Sequence, residues 1–187
     1  MMPWYVLLGL VILLREFLTD RGTVTPAVSE TTAGFTDPQM TEHFRWSEFY
    51  RPNDQTPPES VIKGYAKISN DLELIRSYFG NNPIVITPHG GWHPLDKTGA
   101  GWPERSRNSR HRTPEDRAEK FRSGVAVDFS IPGVPIAHVY AGMISLRETR
   151  AIKPGGIGLY EKDGFIHWDT RDKAANWTNS IDANEGE

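Results

Sequence analysis

The sequence contains no cysteine, so neither a disulfide nor a thiolate metal site is available to it. A metal ion bound by this chain would therefore need histidine and carboxylate ligands. A strong excess of one charge is also missing, because the formal net charge is -3 over 187 residues. We predict no nucleic-acid partner on that ground. The small basic cluster of Arg105, Arg107, Arg110 and Arg112 is predicted to be a solvated loop.

A long apolar run is lacking as well. The unbroken run WYVLLGLVILL occupies residues 4–14 and is shorter than the roughly 18 residues of a membrane-spanning helix. No Lys or Arg precedes it, in contrast to a secretory signal. We predict that residues 1–18 form an anchor or signal-like segment that reaches a membrane or a virion partner. Residues 19–42 are rich in Thr, Pro, Gly and Ser and are predicted to be a linker.

The rest of the chain has the composition of one soluble domain, with 37% hydrophobic and 24% charged residues in the sequence as a whole. Apolar side chains at steps of three and four predict helices over residues 59–79 and 135–150. Short runs, most of them alternating, predict strands at 83–87, 124–131, 157–160 and 165–169. The order predicts an α+β fold, in which helices pack on one side of a small antiparallel sheet and a cleft lies on its open face.

Two polar side chains interrupt apolar strands of this predicted sheet. Asp128 lies in GVAVDFSI and shares a strand face with Ala126 and Ser130. A buried carboxylate is costly without a partner, so Asp128 faces solvent, a cation or a metal. His167 lies in FIHWD, where a histidine is more often an ordinary hydrogen-bonded residue than a ligand. If the two strands are neighbours, both side chains reach one cleft.

Four segments resemble, in the same order, the zinc D-Ala-D-Ala carboxypeptidase and murein endopeptidase family, which shares its core with the Hedgehog amino-terminal domain. SRH at 109–111 with GVAVD at 124–128 resembles the family motif S-x-H-x-x-G-x-A-x-D. GGIGLY at 155–160 and FIHWD at 165–169 look like the family's G-G-I-G-x-Y and F-V-H-x-D. Residues 43–49, together with residues 72–76, are the fourth segment and resemble the family's opening. The resemblance covers residues 43–171.

This resemblance implies that His111, Asp128 and His167 hold a zinc ion. It implies hydrolysis of an amide bond in peptidoglycan stem peptides or cross-bridges, with peptidoglycan as the partner. The compartment would be the periplasm or the cell envelope, and the protein would be phage-encoded or virion-associated in some settings. The peptidase domain would span residues 43–171, followed by a polar tail at 172–187.

The sequence departs from the family in two places. Asp128 lies 17 positions after His111, where the family's separation is seven positions, so about ten residues are inserted. If the insert displaces His111, the alternative imidazoles are His89 and His93. His93 also stands where the family usually has an arginine that helps bind substrate, and a histidine cannot copy a bidentate carboxylate clamp. The change favours an endopeptidase, or a non-catalytic module of the same fold, over a D-Ala-D-Ala carboxypeptidase.

The catalytic candidates are Asp169, Asp163 and His93. Asp169 shares a strand face with His167 and is predicted either to take a proton from water or to orient the histidine. Asp163, in the preceding turn, is the second candidate for the base. The substrate-binding candidates are Ser109 in the motif, together with Trp92 and Trp168. These tryptophans, with Trp102, either line a groove or belong to the core.

Overall fold

A computed structural model describes residues 37, 39–50, 57–94 and 106–178. The predicted segment 1–18, most of the predicted linker and Trp102 lie outside these residues. The elements in chain order are α1 (Trp46–Phe49), α2 (Glu59–Tyr78), β1 (Val85–Ile86), β2 (Ala126–Ser130), α3 (Ile136–Glu148), β3 (Gly156–Tyr160), β4 (Phe165–Asp169) and β5 (Ala175–Thr178). Within this part of the chain, no helix has the length and apolar character needed to cross a membrane.

The strands form one sheet in the order β1-β2-β4-β3-β5. Neighbouring strands are antiparallel except β3 and β5, which run parallel. The α+β fold predicted from the sequence is confirmed. The predicted tail at 172–187 is wrong in its first part, because Ala175–Thr178 pair with β3 and extend the sheet at that edge.

The two faces of the sheet differ sharply in character. Asp128 lies opposite His167, and His167 lies opposite Gly158, so the three share one face. The other face is apolar and buried, and it presents Val127, Phe129, Ile157, Ile166 and Trp168. Helix α3 contacts β3 and β4, and buried residues of α2 and α3 belong to the same core. The helices therefore cover the apolar face and leave the polar face for a site.

Helix α2 is placed by its apolar stripe and by one close approach to the sheet. Its buried positions recur at steps of three and four, as the sequence predicts, and they include Val61, Tyr65, Ile68, Leu72 and Ile75. Gly64 allows the approach, since a Cβ there would lie 2.6 Å from Val125 Cγ1. The Tyr65 hydroxyl donates to the Ala126 carbonyl at 2.6 Å, which ties the helix to the start of β2.

The amino-terminal boundary of the domain lies earlier than predicted. Asp37 accepts hydrogen bonds from the backbone N–H and the hydroxyl of Ser47, at 2.8 and 2.9 Å. Gln39 forms a β-bridge with Arg45, and the Thr41 hydroxyl donates to Glu73 at 2.7 Å. The end of the predicted linker therefore belongs to the folded domain, because its polar side chains form hydrogen bonds with residues further along the chain. No local sequence pattern predicts these contacts.

Candidate metal centre

Three predicted ligands converge on the polar face of the sheet. His111 Nε2 lies 3.2 Å from His167 Nδ1 and 3.3 Å from Asp128 Oδ1. His167 Nδ1 lies 2.8 Å from Asp128 Oδ1. All three side chains are buried, and each offers one donor atom to the same point in space. The group can hold a metal ion.

The spacing of these donors suits a small tetrahedral ion. Zinc bonds to imidazole nitrogen and carboxylate oxygen at about 2.0–2.1 Å, which places two tetrahedral ligands about 3.3 Å apart. Two of the three donor separations, 3.2 and 3.3 Å, match that edge, and the third is shorter at 2.8 Å. Two imidazoles and one carboxylate leave a fourth position for water or substrate, which is the donor set of catalytic zinc sites.

His111 reaches the cluster despite the insert that follows it. The Arg110 carbonyl accepts from the Ala126 N–H at 3.1 Å, and the His111 carbonyl accepts from the His93 N–H at 2.7 Å. The first bond ties the motif loop to β2 and the second ties it to the loop that follows β1, so His111 is held in place independently of the inserted chain. The alternative imidazoles His89 and His93 are not part of the donor group found in the described residues.

Each ligand histidine has a second hydrogen bond that fixes its ring. His111 Nδ1 donates to the Gly91 carbonyl at 2.9 Å, which leaves Nε2 free to face the cluster. His167 Nε2 lies 3.2 Å from Asp169 Oδ2, which leaves Nδ1 as the donor atom. Gly91 is required here, because a Cβ at this position would collide with the Phe49 carbonyl. The rings are thus oriented before any ion binds.

Asp169 is held as an ionised partner of His167. Arg171 grips it with Nη2 at 2.6 Å from Oδ2 and with Nε at 2.8 Å from Oδ1, and Arg110 Nε lies 3.6 Å from Oδ1. Burial acts to raise the pKa of Asp169, but the hydrogen bonds from His167 and Arg171 outweigh burial and hold the pKa far below its usual range. A carboxylate held in this way is a poor proton acceptor, so the geometry favours the orienting role.

Asp128 and His167 stabilise each other's charged forms within the cluster. Burial acts to raise the pKa of Asp128, yet the two histidines beside it hold that pKa well below its usual range. Burial acts to lower the pKa of His167, but hydrogen bonds with Asp128 and Asp169 raise it to about 9. Two buried carboxylates flank one imidazole, and a metal ion would take the place of the proton there.

Replacing Asp169 with asparagine is expected to weaken metal binding by about 10- to 100-fold, because the orienting carboxylate of His167 loses its charge. The measurement is the metal dissociation constant in competition with a chromogenic chelator. Asp163→Asn is the matched control and should leave the affinity unchanged. If Asp169→Asn keeps the wild-type affinity and loses at least about 10²-fold in rate on a peptidoglycan substrate, Asp169 is the base instead.

The other two predicted catalytic residues, Asp163 and His93, are not part of the donor group. Asp163 is exposed in the turn between β3 and β4. It lies beyond Phe165, which is itself two residues, about 7 Å, from His167. Asp163 is not part of the donor group found among the described residues, and its role as a base stays a prediction. His93 is fully buried next to the His111 backbone, so a ligand in solution does not reach its side chain.

The predicted substrate-binding residues are buried in this structure. Trp168 is 0% exposed and belongs to the apolar core, because it points away from His167 along the strand. Trp92 is 4% exposed, packs on Tyr50, and donates its Nε1–H to the Thr113 hydroxyl at 3.1 Å. Both tryptophans belong to the core, which is the second of the two predicted alternatives. Ser109 is also buried, and its hydroxyl accepts from the His111 N–H at 3.4 Å, so it shapes the motif loop.

Two of the four arginines predicted to be solvated, Arg110 and Arg112, are buried, while Arg107 is exposed as predicted and Arg105 lies outside the described residues. Arg110 and Arg112 are 7% and 5% exposed, and Arg117, from the insert, is 2% exposed. The insert forms two 3-10 turns, Pro114–Asp116 and Glu119–Phe121, which carry Arg117 inward so that its Nη2 donates to the Gly124 carbonyl at 2.7 Å. Burial and the neighbouring Arg110 lower the pKa of Arg117 to about 10. Arg110 Nε lies 3.6 Å from Asp169 Oδ1, and the charge of Asp169 also acts on Arg117.

Trp177 was not predicted from the sequence to be near the site, yet it lies in β5 beside the cluster. Its ring centroid is 5.3 Å from that of His167, and its Nε1–H donates to the Tyr160 hydroxyl at 3.3 Å. The ring covers Gly158, where a Cβ would collide with it. The Arg171 guanidinium lies 5.2 Å from the same ring. The available signal was the pair of glycines at 156 and 158, which leaves room on this face for a large side chain.

No protein-family model matches this chain, and no curated protein or solved structure does.

Proposed function

We propose that the domain is a zinc-dependent peptidase that hydrolyses amide bonds in peptidoglycan peptides, and that it acts as an endopeptidase. The observation that carries the proposal is the buried group of His111, Asp128 and His167, whose donor separations suit a tetrahedral ion. The four segments that resemble the zinc carboxypeptidase and murein endopeptidase family support the choice of metal and substrate. The N-terminal segment would hold the domain at a membrane, in the cell envelope, or on a virion.

When bound, zinc supplies a Lewis acid that polarises an amide carbonyl and lowers the pKa of a coordinated water to about 7. The protein supplies the geometry. His111, Asp128 and His167 would hold the ion, and the Gly91 carbonyl and Asp169 orient the two rings toward its position. Arg171 and Arg110 keep Asp169 ionised, so Asp169 acts as a positioning residue. Trp177 is half-buried and lies over Gly158 of the neighbouring strand β3. Its ring stands beside His167 and offers an aromatic surface next to the donor group.

The preference for internal bonds rests on the missing clamp. A carboxypeptidase must recognise a free C-terminal carboxylate, and arginine does this through two parallel hydrogen bonds. His93 occupies the corresponding position and is 0% exposed. The chain therefore lacks a permanent positive charge at that point, and an internal peptide bond, which brings no terminal carboxylate, fits it better.

The test is digestion of purified peptidoglycan by the full chain, with and without a chelator, followed by mass analysis of the soluble fragments. We expect cross-linked dimeric muropeptides to be split, with chelator stopping the reaction and added zinc restoring it. Release of single D-Ala residues without loss of dimers would instead identify a carboxypeptidase. Unchanged muropeptides in the presence of bound zinc would exclude both peptidase assignments.

A non-catalytic module of the same fold is the second candidate. It is favoured by the burial of the donors, since His111, Asp128 and His167 are 0%, 3% and 4% exposed. Such closure is typical of a metal site that stabilises a fold, whereas catalysis needs an approach for substrate. In that case chelation would lower the thermal stability of the domain, and peptidoglycan would be bound or ignored without being cut.

A further inference from the structure

A second cleft opens on the helical side of the sheet, away from the face that carries the donor group. It lies between the middle of α2, the end of α3 and the loop that leads to β3, and its volume is about 700 Å³. That volume is within the range of ordinary ligand pockets. Its walls include apolar side chains, among them Ala151, Ile152 and Pro154.

Asp71 of α2 is the most deeply buried charged side chain in this cleft. It is 8% exposed, and its Oδ2 atom is buried without a hydrogen-bond partner among the described residues. Burial raises the pKa of Asp71 to about 6, and this is opposed only by the charge of Lys153. Buried polar atoms are nearly always satisfied in folded proteins, so an unsatisfied carboxylate oxygen that borders a cleft points to a missing donor.

The remaining charges of the cleft are mainly positive and lie at its exposed margin. Arg150 and Lys153 are both exposed, as is Glu148. Arg147 has a different task, because its Nη1 donates to the carbonyls of Gly155 and Ala175 at 2.9 and 3.2 Å. Arg147 thereby ties α3 to the start of β3 and to β5, which gives the cleft a fixed wall.

We propose that this cleft binds a short peptide with free termini, whose ammonium group pairs with Asp71 and whose carboxylate pairs with Arg150 and Lys153. A buried anion with cations at the margin is the charge pattern complementary to such a zwitterion. An ammonium group supplies three donors and a positive charge to the unsatisfied oxygen. The apolar walls suit small aliphatic side chains, and the volume accommodates a few residues.

Trialanine is the probe, and the full chain is titrated by calorimetry and by amide chemical shifts, both with zinc and after chelation. Saturable binding is expected in both states, with shifts at Asp71 and Lys153. Capping either end of the probe, as N-acetyl-trialanine or trialanine amide, is expected to weaken binding by about 10-fold or more, since a charge-assisted hydrogen bond is lost. Binding that needs zinc would place the peptide at the metal centre and overturn the proposal.

Two variants separate recognition from folding. Asp71→Asn keeps the shape of the side chain and should weaken trialanine binding by about 10-fold or more, while circular dichroism and zinc content stay as in the wild type. Lys153→Gln should weaken trialanine binding and leave the binding of trialanine amide unchanged. Asp163→Asn is the matched control on the exposed hairpin turn. Equal affinity of wild type and Asp71→Asn, or no saturation up to about 10 mM peptide, would overturn the proposal.

Discussion

Replacing Asp128 or His167 with alanine is expected to reduce the metal content from about one ion per chain to nearly none, because each change leaves two donors where three are needed. Each of the three residues offers one ligand atom to the group found among the described residues, so that group contains no further ligand to replace a lost one. The measurement is elemental analysis of protein purified without chelator. The proposed activity on peptidoglycan should fall to that of the chelated wild-type protein.

His111→Ala tests whether the insert leaves the motif histidine in place. It should lose metal as fully as Asp128→Ala, because His111 Nε2 is 3.2 Å from His167 Nδ1. His89→Ala is the control, since His89 lies outside the donor group and should keep about one ion per chain. Full metal content in His111→Ala, together with loss in His89→Ala or His93→Ala, would show that another imidazole is the ligand.

Asp71→Asn is expected to stabilise the domain at neutral pH. Burial raises the pKa of Asp71 from 3.8 to about 6 in the folded state. The folded protein therefore holds this proton more tightly than the unfolded chain. The stabilisation from the protonated carboxyl is complete below pH 3.8 and is lost as the pH rises through about 6. Above that range the ionised carboxylate costs at most about 3 kcal/mol, and asparagine removes this cost.

Urea unfolding of wild type and Asp71→Asn at pH 4 and pH 8 measures this difference. We expect the variant to gain about 1–3 kcal/mol in free energy of unfolding at pH 8 and much less at pH 4. Comparison at equal pH cancels the titration of the other groups, and Asp163→Asn should show no such pH dependence. Equal stability at pH 8 would mean that a partner already stabilises the Asp71 carboxylate in the free protein. Lys153, whose charge acts on Asp71, is the candidate for that partner.

The sequence alone predicted most of the elements and named the three residues that form the donor group. The helix expected over residues 59–79 is α2, and the strand expected at 165–169 is β4. These expectations hold because helix and strand periodicity are local properties, set by backbone geometry over a few residues. The polar residues in apolar strands, Asp128 and His167, stand out for the same reason. The family resemblance added His111, although its spacing to Asp128 departs from the family's.

Only the tertiary structure decided what surrounds the donors. Residues 175–178 alternate between half-buried and exposed positions on an edge strand, so their polar sequence looks like a tail until pairing with β3 brings Trp177 to His167. The contacts of Arg171 and Arg110 with Asp169 favour a positioning residue over a base, and the contact of Arg110 joins residues that are far apart in the sequence. Strand pairing, burial and charge neutralisation depend on contacts between residues far apart in sequence, and no local pattern contains that information.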